Sequence, residues 1–250
     1  MLNTAYHYLY IKTSIALKNL ILASTSTLYN GSYLDYLIPE LEDHFSSIKT
    51  LIFIPFARPG GIDHDTYTQK VKDVFNPLGI AVKGIHEFKD PKAALSDAEG
   101  VFTSGGNTFL LVNQLYKLEL MPILRNIIFQ GTPYLGTSAG SNIGGVTMQT
   151  TNDMPIIYPP SFKTLGAVPF NINPHYLDPP VDGKHMGESR ETRIKEFHQF
   201  NTLPVVGLRE GSWIQVKDDR CLLKGELTAR VFEQNKEPRE IESGENIIFD

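Results

Sequence analysis

Short apolar runs alternate along the chain with stretches in which apolar residues recur every three or four positions. Leu20-Ile21-Leu22-Ala23 is the first such run and reads as a buried strand. Tyr33, Leu34, Leu37, Leu41 and Phe45 follow at helical spacing. Leu51-Ile52-Phe53-Ile54 is stopped by Pro55; Tyr67, Val71, Val74 and Phe75 then suit a second helix, closed by Pro77 and Gly79. Residues 80–85 form a further strand candidate. Asp90-Pro91 opens a short helix, since Asp caps free N–H groups and Pro suits the first helical position. Val101-Phe102-Thr103 is a strand, followed by Ser104-Gly105-Gly106 and a helix from about Thr108. Tyr134-Leu135-Gly136 is another strand. These runs are apolar on both faces, which predicts an α/β fold: a mainly parallel sheet flanked by helices on both faces.

The pattern changes after about residue 146. Pro155, Pro159, Pro160, Pro169, Pro174, Pro179 and Pro180 mark a stretch of loop and short strand. A helix resumes over 188–200. Short strands are predicted at 205–208, 213–216, 221–223 and 230–232, pairing at the end of the same sheet. No linker stands out, so residues 19–250 read as a single domain and residues 1–18 as an N-terminal extension without evident function. A secretory apolar region over 15–23 is interrupted by Lys18 and Asn19.

Composition narrows the function. Hydrophobic residues make up 41% of the 250, enough for a packed core. The net charge of −5 without a basic run argues against a nucleic-acid partner or a polybasic membrane patch. No run approaches the roughly 20 apolar residues of a membrane helix. A lone cysteine, Cys221, rules out an intrachain disulfide framework and a zinc site of several thiolates, and fits a cytoplasmic location.

The strongest chemical signal is Gly136-Thr137-Ser138-Ala139-Gly140, a G-x-S-x-G pattern between a predicted strand and a predicted helix. A sharp strand-to-helix turn lifts such a serine out of the sheet, and the backbone N–H after it faces a developing oxyanion. A serine needs a base, and seven histidines compete. His7 lies in the extension. His44 and His198 read as exposed helical histidines, and His64 in Asp63-His64-Asp65 as part of a solvated turn. His175 differs, because Asn173-Pro174-His175 ends an apolar segment and Pro174 stiffens the approach. Ser104-Gly105-Gly106-Asn107-Thr108 offers backbone amides for a phosphate or for the second oxyanion donor.

Taken together, these pieces resemble peptidase E, the α-aspartyl dipeptidase family of serine peptidases. The likeness rests on Ile54-Pro55-Phe56-Ala57, Gly105-Gly106-Asn107-Thr108-Phe109, Gly136-Thr137-Ser138-Ala139-Gly140, Thr151-Asn152-Asp153-Met154-Pro155, Ile172-Asn173-Pro174-His175, Gly187-Glu188-Ser189-Arg190-Glu191 and Glu210-Gly211-Ser212-Trp213-Ile214-Gln215-Val216. The pieces occur in family order from about residue 20 to about 235. Thr137 and Ser104 depart from the family pattern, and neither change removes a catalytic group. The resemblance implies a fold like that of class I glutamine amidotransferases. It implies Ser138 as nucleophile, His175 as base and Glu210 as orienting acid, with Asp153 the competing acid. It further implies an oxyanion hole from Gly106 and Ala139, with Arg190 and Asn107 binding substrate. No metal or cofactor is expected, and the substrate is a small Asp-Xaa peptide acted on by a monomer or homodimer.

The chain order Ser138, His175, Glu210 differs from the serine–acid–histidine order of α/β-hydrolases, which lowers an esterase reading. A cyanophycinase-like β-aspartyl peptidase is the other alternative. Between the two acids, Glu210 follows an apolar strand, where groups line the crevice of an open α/β sheet. For Asp153, an Asx-turn before Pro155 is a sufficient role.

Overall fold

The computed structural model describes residues 17–179 and 187–249. Of the expected extension over 1–18, residues 1–16 lie outside the described residues, as do His7 and His185. Lys18 is tied to the fold: its ammonium donates to the Ala167 carbonyl at 3.0 Å and pairs with Asp219.

Five strands, β1 (Asn19–Ala23), β2 (Thr50–Ile54), β3 (Ala81–Gly84), β4 (Val101–Thr103) and β5 (Tyr134–Thr137), run parallel in the order β3-β2-β4-β5-β1. Successive residues of β1 feed opposite faces: Leu20 and Leu22 enter one core, Ile21 and Ala23 the other. Burial of each large apolar side chain contributes about 1.5–3 kcal/mol. Helices α1 (Ile38–His44) and α2 (His64–Phe75) cover the Ile21 face. The opposite face is covered by α3 (Pro91–Ser96), α4 (Thr108–Lys117), α5 (Leu120–Phe129) and the one-turn α6 (Ala139–Asn142). The caps follow the sequence: Asp63 accepts from Thr66 N, and Asp90 accepts from Lys92 N and Ala93 N with Pro91 at the first helical position. The helix expected from Thr108 is two helices, because Glu119 adopts φ 56° and breaks the run.

The tail differs from expectation. Strand β6 (Asn171–Pro174), β7 (Val205–Leu208), β8 (Ser212–Lys217), β9 (Arg220–Gly225), β10 (Ala229–Phe232) and β11 (Arg239–Ile241) do not all join one sheet. Only β8 and β9 extend the main sheet, antiparallel beyond β1. The others form a second sheet in the order β11-β10-β7-β6, with β6 and β7 parallel. The reason lies in its two apolar faces. Val206, Leu208 and Val231 pack into the main core, while Val205 and Phe232 join Tyr176 and Ile194 under helix α7 (Arg190–Phe197). A strand buried on both faces needs a layer on each side, which the open edge of the main sheet would not give.

Two histidines also differ. His44 and His198 are buried, not exposed. His44 Nε2 lies 3.2 Å from the Tyr134 carbonyl, and His198 Nε2 lies 3.1 Å from that of Leu203. Carbonyls only accept, so in each ring this nitrogen carries the proton.

Candidate active site

Ser138 sits where β5 ends and α6 begins, with φ 53° and ψ −111°. Such a conformation costs a non-glycine residue roughly 1–3 kcal/mol and persists only where the surroundings enforce it. They do so here by contact. A Cβ on Gly140 would lie 1.9 Å from the Thr103 carbonyl oxygen, so helix α6 presses against the end of β4. Gly106, at φ 147°, lies equally close to Ala57, where a Cβ would fall 2.2 Å from the carbonyl oxygen. That carbonyl in turn accepts from Asn107 N at 2.7 Å. The Ser138 N–H donates to the Ala23 carbonyl at 3.1 Å. The half-buried side chain points at His175.

His175 directly follows β6 and also has a positive φ, 54°. Its Nε2 lies 2.8 Å from Ser138 Oγ, and its Nδ1 lies 2.6 Å from Glu210 Oε1. A carboxylate only accepts, so Nδ1 carries the proton and Nε2 is left to accept from the Ser138 hydroxyl. Glu210 lies in the turn between β7 and β8. The His175 and Glu210 side chains are 34% and 45% exposed, so their pairing fixes geometry more than it adds stability.

Asp153 lies elsewhere in the site. Its Oδ2 accepts from Thr108 N at 2.7 Å and from the Thr151 hydroxyl at 3.0 Å. It thus holds the first residue of α4, next to Gly106 and Asn107. Both ends of the Asn107 amide serve the framework: Oδ1 accepts from Leu110 N and Nδ2 donates to the Met154 carbonyl. Arg190 begins α7, behind a Ser189 cap. Its Nε is buried without a hydrogen-bond partner, and among the described residues its guanidinium forms no ion pair. Burial, and then the Arg193 charge, lower its pKa below the ordinary arginine value, while the nearby Asp153 charge opposes this. Helix α7 is anchored next to Arg190, where Glu191 pairs with Arg230 of β10 at 3.1 Å.

Sequence reasoning missed the residues that hold His175. Asn152 Nδ2 donates to the Pro174 carbonyl, and Asn173 Nδ2 donates both to Asn152 Oδ1 and to the Thr150 carbonyl. Asn142 Nδ2 reaches the Ile172 carbonyl at 2.7 Å. The signal was present as buried amides, Asn171 and Asn173, flanking an apolar residue in a short strand. The Ser24 hydroxyl, from the end of β1, accepts from His175 N.

The model of Peptidase family S51 matches residues 20–224. Peptidase E of Streptomyces coelicolor is 46% identical over 229 residues, covering 92% of this chain and 93% of the relative. A probable alpha-aspartyl dipeptidase of Drosophila melanogaster is 43% identical over 235 residues, 93% of this chain and 97% of the relative. Among solved structures, a peptidase from an acI-B1 Actinobacterium superposes with a TM-score of 0.70 at 17% identity, covering 94% of this chain and 98% of that one. A putative Peptidase E protein from Listeria monocytogenes gives 0.63 at 22%, covering 84% and 99%. These two likenesses concern the fold: a mainly parallel sheet between layers of helices.

Proposed function

The chain belongs to Peptidase family S51 and is a serine-type dipeptidase, and we propose that it hydrolyses peptides after an N-terminal α-linked aspartate. The observation that carries the chemistry is the continuous chain Ser138 Oγ, His175, Glu210, with both links at 2.8 Å or less. Ser138 attacks the scissile carbonyl while His175 Nε2 takes its proton and later delivers it to the leaving amine. Glu210 holds the imidazole in the Nδ1–H tautomer and stabilises the imidazolium. The N–H groups of Gly106 and Ala139 stabilise the oxyanion from two sides of Ser138. Asp153 shapes the Gly106 loop rather than orienting His175; its contacts to Thr108 and Thr151 support that division.

Arg190 reads the aspartate side chain. A half-buried guanidinium with no ion pair among the described residues suits a carboxylate, which it can grip through two parallel bonds. Asn107, which caps α4 and holds the Met154 carbonyl, acts on substrate by shaping the loop at Gly106. Residues 19–250 act as one domain, since the second sheet shares the main core. No described helix is long and apolar enough to cross a membrane, and a single buried cysteine fits a cytoplasmic setting.

The reading is tested by incubating the protein separately with Asp-Leu, β-Asp-Arg, Ala-Leu and p-nitrophenyl acetate. Cleavage of Asp-Leu alone is expected. Preference for β-Asp-Arg would point to a β-aspartyl peptidase, and ester turnover alone to an esterase; either result overturns the proposal.

A further inference from the structure

The groups of the Ser138–His175–Glu210 chain are mounted on different sheets. Ser138 stands on the main sheet, whereas His175 and Glu210 follow β6 and β7 of the second. Something must set the distance between the sheets to within a few tenths of an ångström, and that is where Ser24 stands. Ser24 is the residue after β1 and is fully buried. Its hydroxyl accepts from the His175 N–H at 2.8 Å and donates to the Leu208 carbonyl at 2.7 Å. Those partners are 151 and 184 residues away in sequence. The same Leu208 carbonyl accepts from Tyr176 N at 3.1 Å. One residue earlier, the Ala23 carbonyl accepts from Ser138 N at 3.1 Å. The dipeptide Ala23-Ser24 therefore grips the backbone at the nucleophile, at the base, and two residues before the acid.

We propose that Ser24 is a positioning residue for catalysis: its hydroxyl fixes the second sheet against the first and so sets the Ser138–His175 distance. This rests on the proposed roles of Ser138, His175 and Glu210. The hydroxyl is suited to the task because it both donates and accepts strongly at one atom. His175 needs such a grip, since its positive φ is strained and its neighbour Pro174 has no N–H to contribute to the sheet. Without the hydroxyl, the His175 N–H loses its acceptor and the base is free to shift. A displacement of about 1 Å at a reacting group can cost about 100-fold in rate.

The experiment compares Ser24→Ala with the parent and with Thr164→Val, which removes another buried hydroxyl, one bonded to the Gly145 carbonyl. Ser24→Cys is made alongside: it keeps the packing with a weaker hydrogen-bonding group and serves if the alanine variant fails to accumulate. Steady-state kinetics on Asp-Leu, normalised to folded protein, should show kcat falling about 10- to 100-fold for Ser24→Ala. KM should stay within about twofold, and Thr164→Val should keep the parent kcat. The second readout is the low-field proton resonance of the His175 Nδ1–H bond to Glu210, which should broaden or vanish in Ser24→Ala and persist in Thr164→Val. This signal reports geometry without turnover. A parent that fails to cleave Asp-Leu would sink the proposed substrate while the resonance still decides the role of Ser24. Retention of both the parent kcat and the parent resonance in the Ser24 variants overturns the proposal, as does a loss confined to KM or equalled by Thr164→Val.

Discussion

At Ser138 the backbone is wedged. A side-chain carbon on Gly140 would sit 1.9 Å from the Thr103 oxygen, and one on Gly106 would sit 2.2 Å from the Ala57 oxygen. At His175 the φ is equally unusual, yet what holds it is hydrogen bonding: Ser24 on its own N–H, Asn152 on the preceding carbonyl and Asn142 two residues before that. The backbone around Ser138 is thus fixed largely by short-range repulsion where neighbouring segments touch. His175 and the strand end before Glu210 are fixed by polar contacts between distant segments. Repulsion is steep and hard to soften, whereas each hydrogen bond contributes only about 0.5–1.5 kcal/mol net. The second region is therefore the one that single substitutions can loosen without unfolding the molecule.

The sharpest way to break this contrast is chemical. Ser138→Ala removes the nucleophile and leaves the wedge intact, so kcat on Asp-Leu should fall about 10⁴- to 10⁶-fold with an unchanged thermal melt. A fully active variant would remove the elbow from the mechanism. Next comes the acid. Glu210→Gln should lower kcat about 10²- to 10⁴-fold with KM little changed, because an amide favours the wrong histidine tautomer. Asp153→Asn, holding the Thr108 turn, should lower mainly the melting temperature. Kinetics and melts on both variants decide between them, and a dead but folded Asp153→Asn beside a near-normal Glu210→Gln would reverse the assignment.

Specificity follows. Leaving a buried charge unpaired costs about 2–5 kcal/mol. Arg190→Met should therefore lower kcat/KM for Asp-Leu roughly 30- to 5,000-fold, at about 1.4 kcal/mol per decade. Asn-Leu should suffer much less, and equal losses on both would show that Arg190 does not read charge. The smallest effect concerns stability on the wedged side. Burial lowers the His44 pKa from its ordinary 6.5 to about 4, against a smaller opposing effect from its bond to Tyr134 at the start of β5. Between those values the unfolded chain binds a proton that the native one refuses. Stability therefore falls as pH drops through that window, by at most about 3 kcal/mol. His44→Gln should flatten melting temperature against pH between about 6.5 and 4; an unaltered slope would place the acid sensitivity elsewhere.

The same contrast explains what the sequence disclosed. The five parallel strands are legible because each is a largely apolar run, and the elbow because its pattern of small residues lies within five positions, Gly136 to Gly140. Strand β6 was not foreseen as a strand. Asn-Ile-Asn-Pro offers two amides and a proline where an apolar period would be, and its amides find their partners only in the folded protein. Arg190 was visible only by family likeness, since a lone arginine opening a charged helix usually faces solvent. His44 was within reach: it lies three residues after Leu41 and next to Phe45, on the buried stripe of α1. Polarity alone suggested exposure.

The division between two sheets also orders events in time. Chains emerge from the ribosome amino end first, at about 5–20 residues per second. The segment bearing Ser138 is made well before the one bearing Glu210, and the sheet that carries His175 closes only with β10 and β11, the last of which ends at Ile241. A growing chain can therefore carry Ser138 before it has made Glu210. The pairing of Ser138, His175 and Glu210 must wait until the strands of the second sheet have been made.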